Sequence, residues 1–261
     1  MSNVRTVSDT KRTFYENFDR PVTSVYRRVV EELMVEMHLL SVSGDFAYDA
    51  IYALGIVTTF DTFMEGYRPE DDVEPIFVAL CRSVESTPEQ YRNDAQQALS
   101  TIDGMSLDAL KSLLGNLTEA NTDGLAGILK GIAERDRFKY SRAFGIGFYT
   151  LTAKVDSELV KDKEPLMAFM KEAAEVLGIS FDKLQKDIEL YRSNLDKMMQ
   201  AKALMAEVLE AERKKREERA QAKAEKAQAA SDANADDAAD SDTPEPVATP
   251  ATDSNEQPPS A

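Results

Sequence analysis

The chain has 261 residues, 43% of them hydrophobic, and a formal net charge of −16. This length and apolar content allow a packed core of one or two domains, whereas the acidic balance opposes nucleic-acid binding. The single cysteine, Cys81, excludes an internal disulfide, and no segment has the roughly 18–20 apolar residues of a membrane span. The start of the chain lacks the apolar run of a secretory signal. We therefore expect a soluble or peripheral protein.

The spacing of apolar residues predicts helices up to about residue 180, with almost none of the alternation typical of strands. Pro21 favours the first turn of a long helix that ends at about Val42. Further helices are predicted at about 50–64, 74–86 and 88–103. The β-branched residues of the first of these leave a strand as the alternative. The segment GYRPEDDVEP between the first two is predicted to be a loop.

Four shorter signals continue this helical pattern. Ser106 is predicted to be the N-cap of one helix, and Thr122 or Asp123 that of the next. An amphipathic helix follows, with its apolar stripe at Tyr140, Phe144, Phe148, Leu151 and Val155. Another helix is predicted at about 165–177 and ends at Gly178, a residue type favoured just past a helix C-terminus.

The longest predicted helix begins after Ser180 as its N-cap. Its seam positions alternate steps of four and three, as in a coiled coil. These positions are Leu184, Ile188, Tyr191, Leu195, Met198, Lys202, Met205 and Leu209. Beyond Leu209 the seam becomes charged, but strong helix formers continue, with Glu210–Lys214 and Glu212–Arg216 in the favoured i,i+4 order. We predict a helix that leaves the globular body and projects into solvent until about 226–230.

The last segment, 231–261, contains eight acidic residues, five prolines and no Lys or Arg, so half of the net charge belongs to it. Such a composition cannot bury enough apolar surface to offset the entropy of ordering, and we expect disorder. The sequence therefore predicts an all-α fold with one helical globular domain at 1–180. A long C-terminal helix follows at 181–230, heptad-like to 209 and then charged, and a disordered acidic tail rich in Pro and Ala occupies 231–261.

The only histidine, His38, follows Glu31, Glu32 and Glu36, which raises the question of an acid–base or metal site. On a helix, Glu36 lies about 200° from His38, and position 35 is valine instead of the glutamate of a Glu-x-x-His motif. One histidine and one cysteine cannot form a His-rich or Cys-rich zinc site within one chain. We interpret His38 as a structural residue, hydrogen-bonded or half exposed. We predict no catalytic residue, no cofactor and no metal.

Two glycine pairs and the cysteine also favour packing over chemistry. Gly145 and Gly147 lack the third glycine of a dinucleotide fingerprint and the strand before it. They are interpreted as small residues that let two helices approach closely, as are Gly127 and Gly131. Cys81 is predicted to be a small core residue, because no neighbouring base can be named for a nucleophile.

Two charged segments are predicted to have no ligand. The acidic EDDVE (70–74) lacks the spacing and the glycine of a calcium loop, and a solvated loop is favoured. RDRFKYSR (135–142) interleaves basic and aromatic residues, as some nucleic-acid sites do, but Phe138 and Tyr140 are assigned to helix packing.

A basic cluster on the long helix is the one candidate binding site. It consists of Arg213, Lys214, Lys215, Arg216 and Arg219. The functional interpretation is a contact with a partner, either anionic lipid or an acidic protein surface. Because Glu210, Glu212, Glu217 and Glu218 are interleaved with these bases, a self-paired solvated helix is the alternative.

Four segments carry a resemblance to a known family. VRTVSDTKRTF (4–14), RPVTSVYRRVVEELMVEMHLLSV (20–42), YALGIVTTFDTFMEGYRPE (52–70) and YSRAFGIGFYTL (140–151) resemble, in this order, the thylakoid formation protein family. This is a family of photosystem II biogenesis factors of cyanobacteria and chloroplasts. The resemblance covers about residues 1–210. The chain enters the family pattern at Val4, without the transit peptide of plant members, and therefore looks cyanobacterial.

The resemblance implies an all-α peripheral protein on the cytoplasmic side of the thylakoid membrane, with a soluble pool. Its expected partners are FtsH-type thylakoid membrane proteases and photosystem II assembly intermediates, with peripheral membrane contact as an option. The family has no established catalytic residues, so no enzymatic activity is expected. The leading function is an adaptor that binds or stabilises the protease in photosystem II biogenesis and repair. The alternative is a factor that shapes thylakoid or vesicle membranes through lipid contact.

Overall fold

The computed structural model of the protein describes residues 5–120 and 122–236, with side chains up to residue 223 apart from Met205. These residues form ten α-helices and one short 3₁₀ turn, and no strand occurs among them. The predicted all-α class is therefore confirmed. Over the same residues, no helix is both long enough and apolar enough to span a bilayer. The chain divides into two compact units, residues 1–200 and 201–261.

The helices follow each other through short connections. They are α1 Val7–Asn17, α2 Ser24–Ser41, α3 Ala50–Met64, α4 Val73–Ser83, α5 Pro88–Ser100, α6 Leu107–Gly115, α7 Gly124–Ala133, α8 Arg142–Val155, α9 Lys163–Val176 and α10 Phe181–Asp236. Several helices begin or end at the cap residues that the sequence predicted. The Ser106 side chain accepts a hydrogen bond from the Ala109 N–H, Asp123 and not Thr122 occupies the N-cap position of α7, and Gly178 has a φ of 65° past α9.

The structure contains one helix that was not predicted, and several helix ends differ from the prediction. Helices α4 and α5 end at Ser83 and Ser100, three residues before the predicted ends. The α1 helix was not predicted, and it begins with a capping box in which Thr6 and Asp9 satisfy each other's backbone N–H groups. The α2 helix starts at Ser24 instead of at Pro21, because the preceding segment is extended and buries Phe18 and Val22 in the core. The α10 helix continues to Asp236, past the predicted end, and the predicted disordered tail otherwise lies outside the described residues.

Within the first unit, α3 lies between two groups of buried side chains. One group joins α3 to α1, α2 and α4, and the other joins it to α5 through α9 and to the start of α10. Helices α3 and α8 approach each other at Gly55 and Gly147. A Cβ atom at Gly147 would lie 1.9 Å from the Ile51 carbonyl oxygen, and one at Gly55 would lie 1.7 Å from that of Ala143. The predicted role of Gly147 in close helix packing is confirmed.

The second predicted glycine pair, Gly127 and Gly131, does not lie at a close approach of two helices. A Cβ atom at Gly127 would lie 1.9 Å from the carbonyl oxygen of Thr122, so Gly127 makes room for the loop before its own helix and not for a neighbouring helix. Around Gly131 nothing lies within 4 Å of that position. The prediction of helix packing through Gly131 is therefore wrong, because this side of α7 faces open space.

The heptad seam of α10 packs within the chain over its first part. Leu184 and Ile188 are fully buried in the core, and Tyr191 contacts the ring of Phe63 at a centroid distance of 5.7 Å. Leu195 and Met198 are only partly buried. The seam therefore begins as an intramolecular contact that weakens towards residue 200.

Candidate functional site

The predicted basic cluster lies in the second unit, on α10. Each of its five side chains is exposed: Arg213, Lys214, Lys215, Arg216 and Arg219. Within 210–219, the described side chains form one ion pair, Arg213–Glu217 at 3.5 Å. The predicted pairs Glu210–Lys214 and Glu212–Arg216 are not formed. Because Arg precedes Glu in the observed pair, which is the less favourable order, local pairing stabilises this helix little.

The five bases do not share one face of α10. At about 100° per residue, Lys215, Arg216 and Arg219 fall within an arc of about 100°. Arg213 and Lys214 lie more than 100° away from Arg219 on either side. We call the surface of Lys215, Arg216 and Arg219 the cationic face. Glu212 falls within the same arc, so the face is mixed in charge but predominantly positive.

Apolar side chains precede the cationic face along the same side of the helix. Leu204 is 62% exposed and Val208 is 51% exposed. Steps of four, seven and four residues connect Leu204, Val208, Lys215 and Arg219, which keeps them on one side of a helix with 3.6 residues per turn. Leu209, on the adjacent side, is 66% exposed. The second unit therefore presents an apolar stripe that leads into a basic one.

His38, the other residue that the sequence singled out, is a packing residue. It is 3% exposed, and its Nδ1 lies 2.8 Å from the Thr10 hydroxyl of α1. Burial lowers the pKa of His38 below its usual 6.5, and the nearby Arg5 acts in the same direction. Glu36 points away from it and accepts a hydrogen bond from the Ala143 N–H of α8 at 2.8 Å. Glu36 and His38 therefore have separate structural roles.

The remaining candidates also have packing partners. Cys81 is fully buried, and burial raises the pKa of its thiol to about 12. Phe138 and Tyr140 pack against the core as predicted, and the Tyr140 hydroxyl donates to Asp187 at 2.9 Å. The prediction of a solvated EDDVE loop is wrong for Asp72, which is 3% exposed and ion-paired with Arg20. Among the described residues, no cluster of three or more His, Cys, Asp or Glu could hold a metal ion.

Comparison with known proteins identifies the family. The family model described as thylakoid formation protein matches residues 6–220. Protein Thf1 of Nostoc punctiforme is 55% identical over 216 residues, which cover 82% of this chain and 92% of that protein. The chain belongs to the thylakoid formation protein family. Protein Thf1 of Crocosphaera subtropica is 51% identical over 215 residues, covering 82% of this chain and 88% of its own length.

A solved structure agrees with the family assignment. The structure of Psb29 superimposes with a TM-score of 0.69 at 42% sequence identity and covers 81% of this chain and 98% of that one. The family match ends at residue 220, so it includes the basic cluster at 213–219 and leaves the acidic segment 231–261 outside.

The sequence did not reveal the apolar stripe beside the cationic face. Leu204 and Val208 do not belong to the predicted heptad seam, and they differ from it by one position in the helical repeat. The dense run of apolar residues at 201–211 could have indicated this stripe. A helix that packs through one face is usually polar on its other sides, so apolar residues on several sides indicate a further contact surface. The family member thus combines a packed helical body with an exposed apolar and basic helix surface.

Proposed function

We propose that this thylakoid formation protein is a non-enzymatic accessory factor in photosystem II biogenesis and repair. In this role it binds and stabilises an FtsH-type protease complex on the cytoplasmic side of the thylakoid membrane. Family membership supports the process, since the family model matches most of the chain. His38 and Cys81, the two most reactive side-chain types, are both buried in the core, and His38 is also hydrogen-bonded to Thr10.

The observation that supports α10 as the contact surface is its exposure. Leu204, Val208 and the cationic face lie on one side of a helix, and the described side chains of the second unit are exposed apart from that of Lys202. Exposed apolar groups beside charges are typical of protein interaction sites, in which apolar burial supplies affinity and charge supplies orientation. We expect an acidic partner surface opposite Lys215, Arg216 and Arg219.

Co-purification of the protease tests this proposal. The full chain and a chain truncated after Leu209 are compared as bait from thylakoid membranes at low and high salt. The full chain is expected to recover the protease complex, with recovery falling as salt rises because exposed charge contacts are screened. Undiminished recovery by the truncated chain would show that the protease contacts another surface.

Membrane binding is the second candidate function, and the same surface is its support. An apolar stripe followed by cations can insert at the surface of an anionic bilayer. Glu207 beside Val208, and Glu210 and Glu212 between the stripe and the cations, oppose such binding because they repel anionic headgroups. Flotation of the purified protein with vesicles of anionic thylakoid lipids distinguishes the two functions. Binding that is strong without any protein partner would favour the membrane function.

A further inference from the structure

A groove lies in the first unit between α2 and the segment that leads into α8. It has a volume of about 790 Å³, and its lining includes Arg28, Glu32, Val35, Leu39 and Lys139. Its size falls within the roughly 300–1,000 Å³ of typical ligand pockets. None of these lining residues belongs to α10, so an inference about the groove goes beyond the proposed function.

Two of the lining residues, Val35 and Leu39, belong to an exposed apolar stripe on α2. Val35 is 38% exposed, Leu39 is 55% exposed, and Val42 just after the helix is 40% exposed. Their spacing of four and three residues places all three on one side of α2. Isolated exposed apolar residues are normal on a protein surface, but a row of three beside a concave surface forms a patch that a partner can bury.

The carboxylates of the groove are already neutralised by ion pairs. Glu36 pairs with Arg142 at 3.0 Å, and Arg142 also reaches Glu32 at 3.5 Å. Arg28 pairs with Glu32 at 2.8 Å, and Glu31 pairs with Lys11 at 3.1 Å.

The loop that contributes Lys139 to the lining of the groove carries cations that have no such partners. Arg135, Arg137 and Lys139 are exposed, and none of the three forms an ion pair with any described residue. Because Glu134 and Asp136 are the acids of this loop, the loop carries a net positive charge on a chain of net −16. The groove therefore combines an apolar stripe with a cationic end.

We propose that this groove, which we name the α2–α8 groove, binds an amphipathic acidic segment of a protein partner. Aliphatic side chains of that segment cover Val35, Leu39 and Val42, and its carboxylates contact Arg137 and Lys139. A peptide suits this surface better than an anionic bilayer does. A peptide can enter a concave surface and place its acidic groups only at the cationic end, whereas a flat bilayer cannot follow the groove.

Site-specific photo-crosslinking in cells of the native organism tests the proposal. A photo-crosslinking amino acid replaces Leu39 in the full-length chain, and the same replacement at Leu190 of α10, which is 46% exposed, is the matched control. Mass spectrometry then identifies the crosslinked peptide. We expect an acidic segment with aliphatic residues at helical spacing from position 39, and a different product or none from position 190.

Charge and apolar variants give the quantitative readout. Arg137→Glu together with Lys139→Glu, and Val35→Ser alone, are each expected to lower the crosslink yield by about ten-fold. Val176→Ser, at 39% exposure, is the control for Val35→Ser and should leave the yield unchanged. All these positions are exposed, and an unchanged thermal midpoint confirms folding. Crosslinks to lipid, to a second copy of the chain, or unchanged yields in the groove variants would overturn the proposal.

Discussion

At the scale of single residues, burial determines what His38 can do. The ring packs between α1 and α2 against Thr10, and desolvation disfavours its charged form. A histidine held neutral in the folded state but free to ionise in the unfolded state makes folding dependent on pH. The same residue that first suggested catalysis therefore acts as a contact between two helices.

This burial predicts a pH effect with a defined sign. The pKa of His38 lies below 6.5 in the folded protein, so its contribution to stability is present above pH 6.5 and is lost as pH falls below that value. Asp49 titrates in the opposite sense, because burial raises the pKa of its carboxyl to about 6. The difference between wild type and His38→Gln isolates the histidine.

Urea unfolding at several pH values measures this difference. The stability of the wild type is expected to decline relative to that of His38→Gln as pH is lowered from 7 to 5. Parallel pH profiles for the two proteins would contradict the packing role of His38. Photosystem II repair should be unchanged in His38→Gln cells if the variant is folded, since no catalytic role is assigned to the ring.

Gly147 provides a second test at this scale. A methyl group there would collide with the Ile51 carbonyl, which belongs to the backbone of α3 and cannot move without separating α3 from α8. Gly147→Ala should therefore lower the free energy of unfolding by about 2 kcal/mol or more. Gly131→Ala is the matched control in open space on α7, and it should raise stability by up to about 1 kcal/mol, as expected for alanine inside a helix. Equal effects of the two substitutions would disprove the close crossing.

At the scale of secondary structure, the sequence predicted most helices because their apolar residues are strongly periodic. The α3 helix was predicted with its observed ends because its length favours a helix, and the strand alternative that its β-branched residues left open is excluded. The α1 helix was not predicted because it buries only Thr10 and Phe14, which are too few to give a recognisable apolar periodicity. Its capping box, Thr6 with Asp9, was the readable signal.

The surface sites were less predictable than the helices. Contacts such as that between Glu36 and Ala143 join residues 107 positions apart, and spacing along a single helix cannot reveal them. The basic cluster and its spacing were visible in the sequence, but the exposure of Leu204 and Val208 beside it is a property of the fold. Helix periodicity decides what is buried, whereas the shape of a groove depends on how separate helices meet.

The division of the basic cluster predicts unequal effects of substitution. Changing the cationic face by Lys215→Gln, Arg216→Gln and Arg219→Gln should weaken association with the protease by about ten-fold. Changing Arg213→Gln and Lys214→Gln should have a much smaller effect, since Lys214 lies about 140° from Arg219 and Arg213, at the edge of the cationic face, pairs with Glu217. Quantitative co-purification of the two variants measures both. Equal losses would indicate an effect of net charge instead of a face.

At the scale of the whole molecule, the core and the proposed protease contact lie in different parts of the chain. The two core groups lie within the first unit, whereas the described side chains at 206–223 in the second unit are all exposed. Residues 231–261 have five prolines and Val247 as their only large apolar residue. Removing this segment should leave the thermal midpoint unchanged, as calorimetry can show. A lowered midpoint would mean that the segment packs on the protein.

Recovery of photosystem II after strong light tests the central claim, that the protein acts by binding through α10. Cells whose only copy is truncated after Leu209 are compared with cells that carry the full chain. We expect a truncated protein of normal abundance and thermal midpoint, slower recovery of photosystem II activity, and less of the FtsH-type protease complex in the membrane. Full recovery with a normal level of the protease complex would contradict the claim.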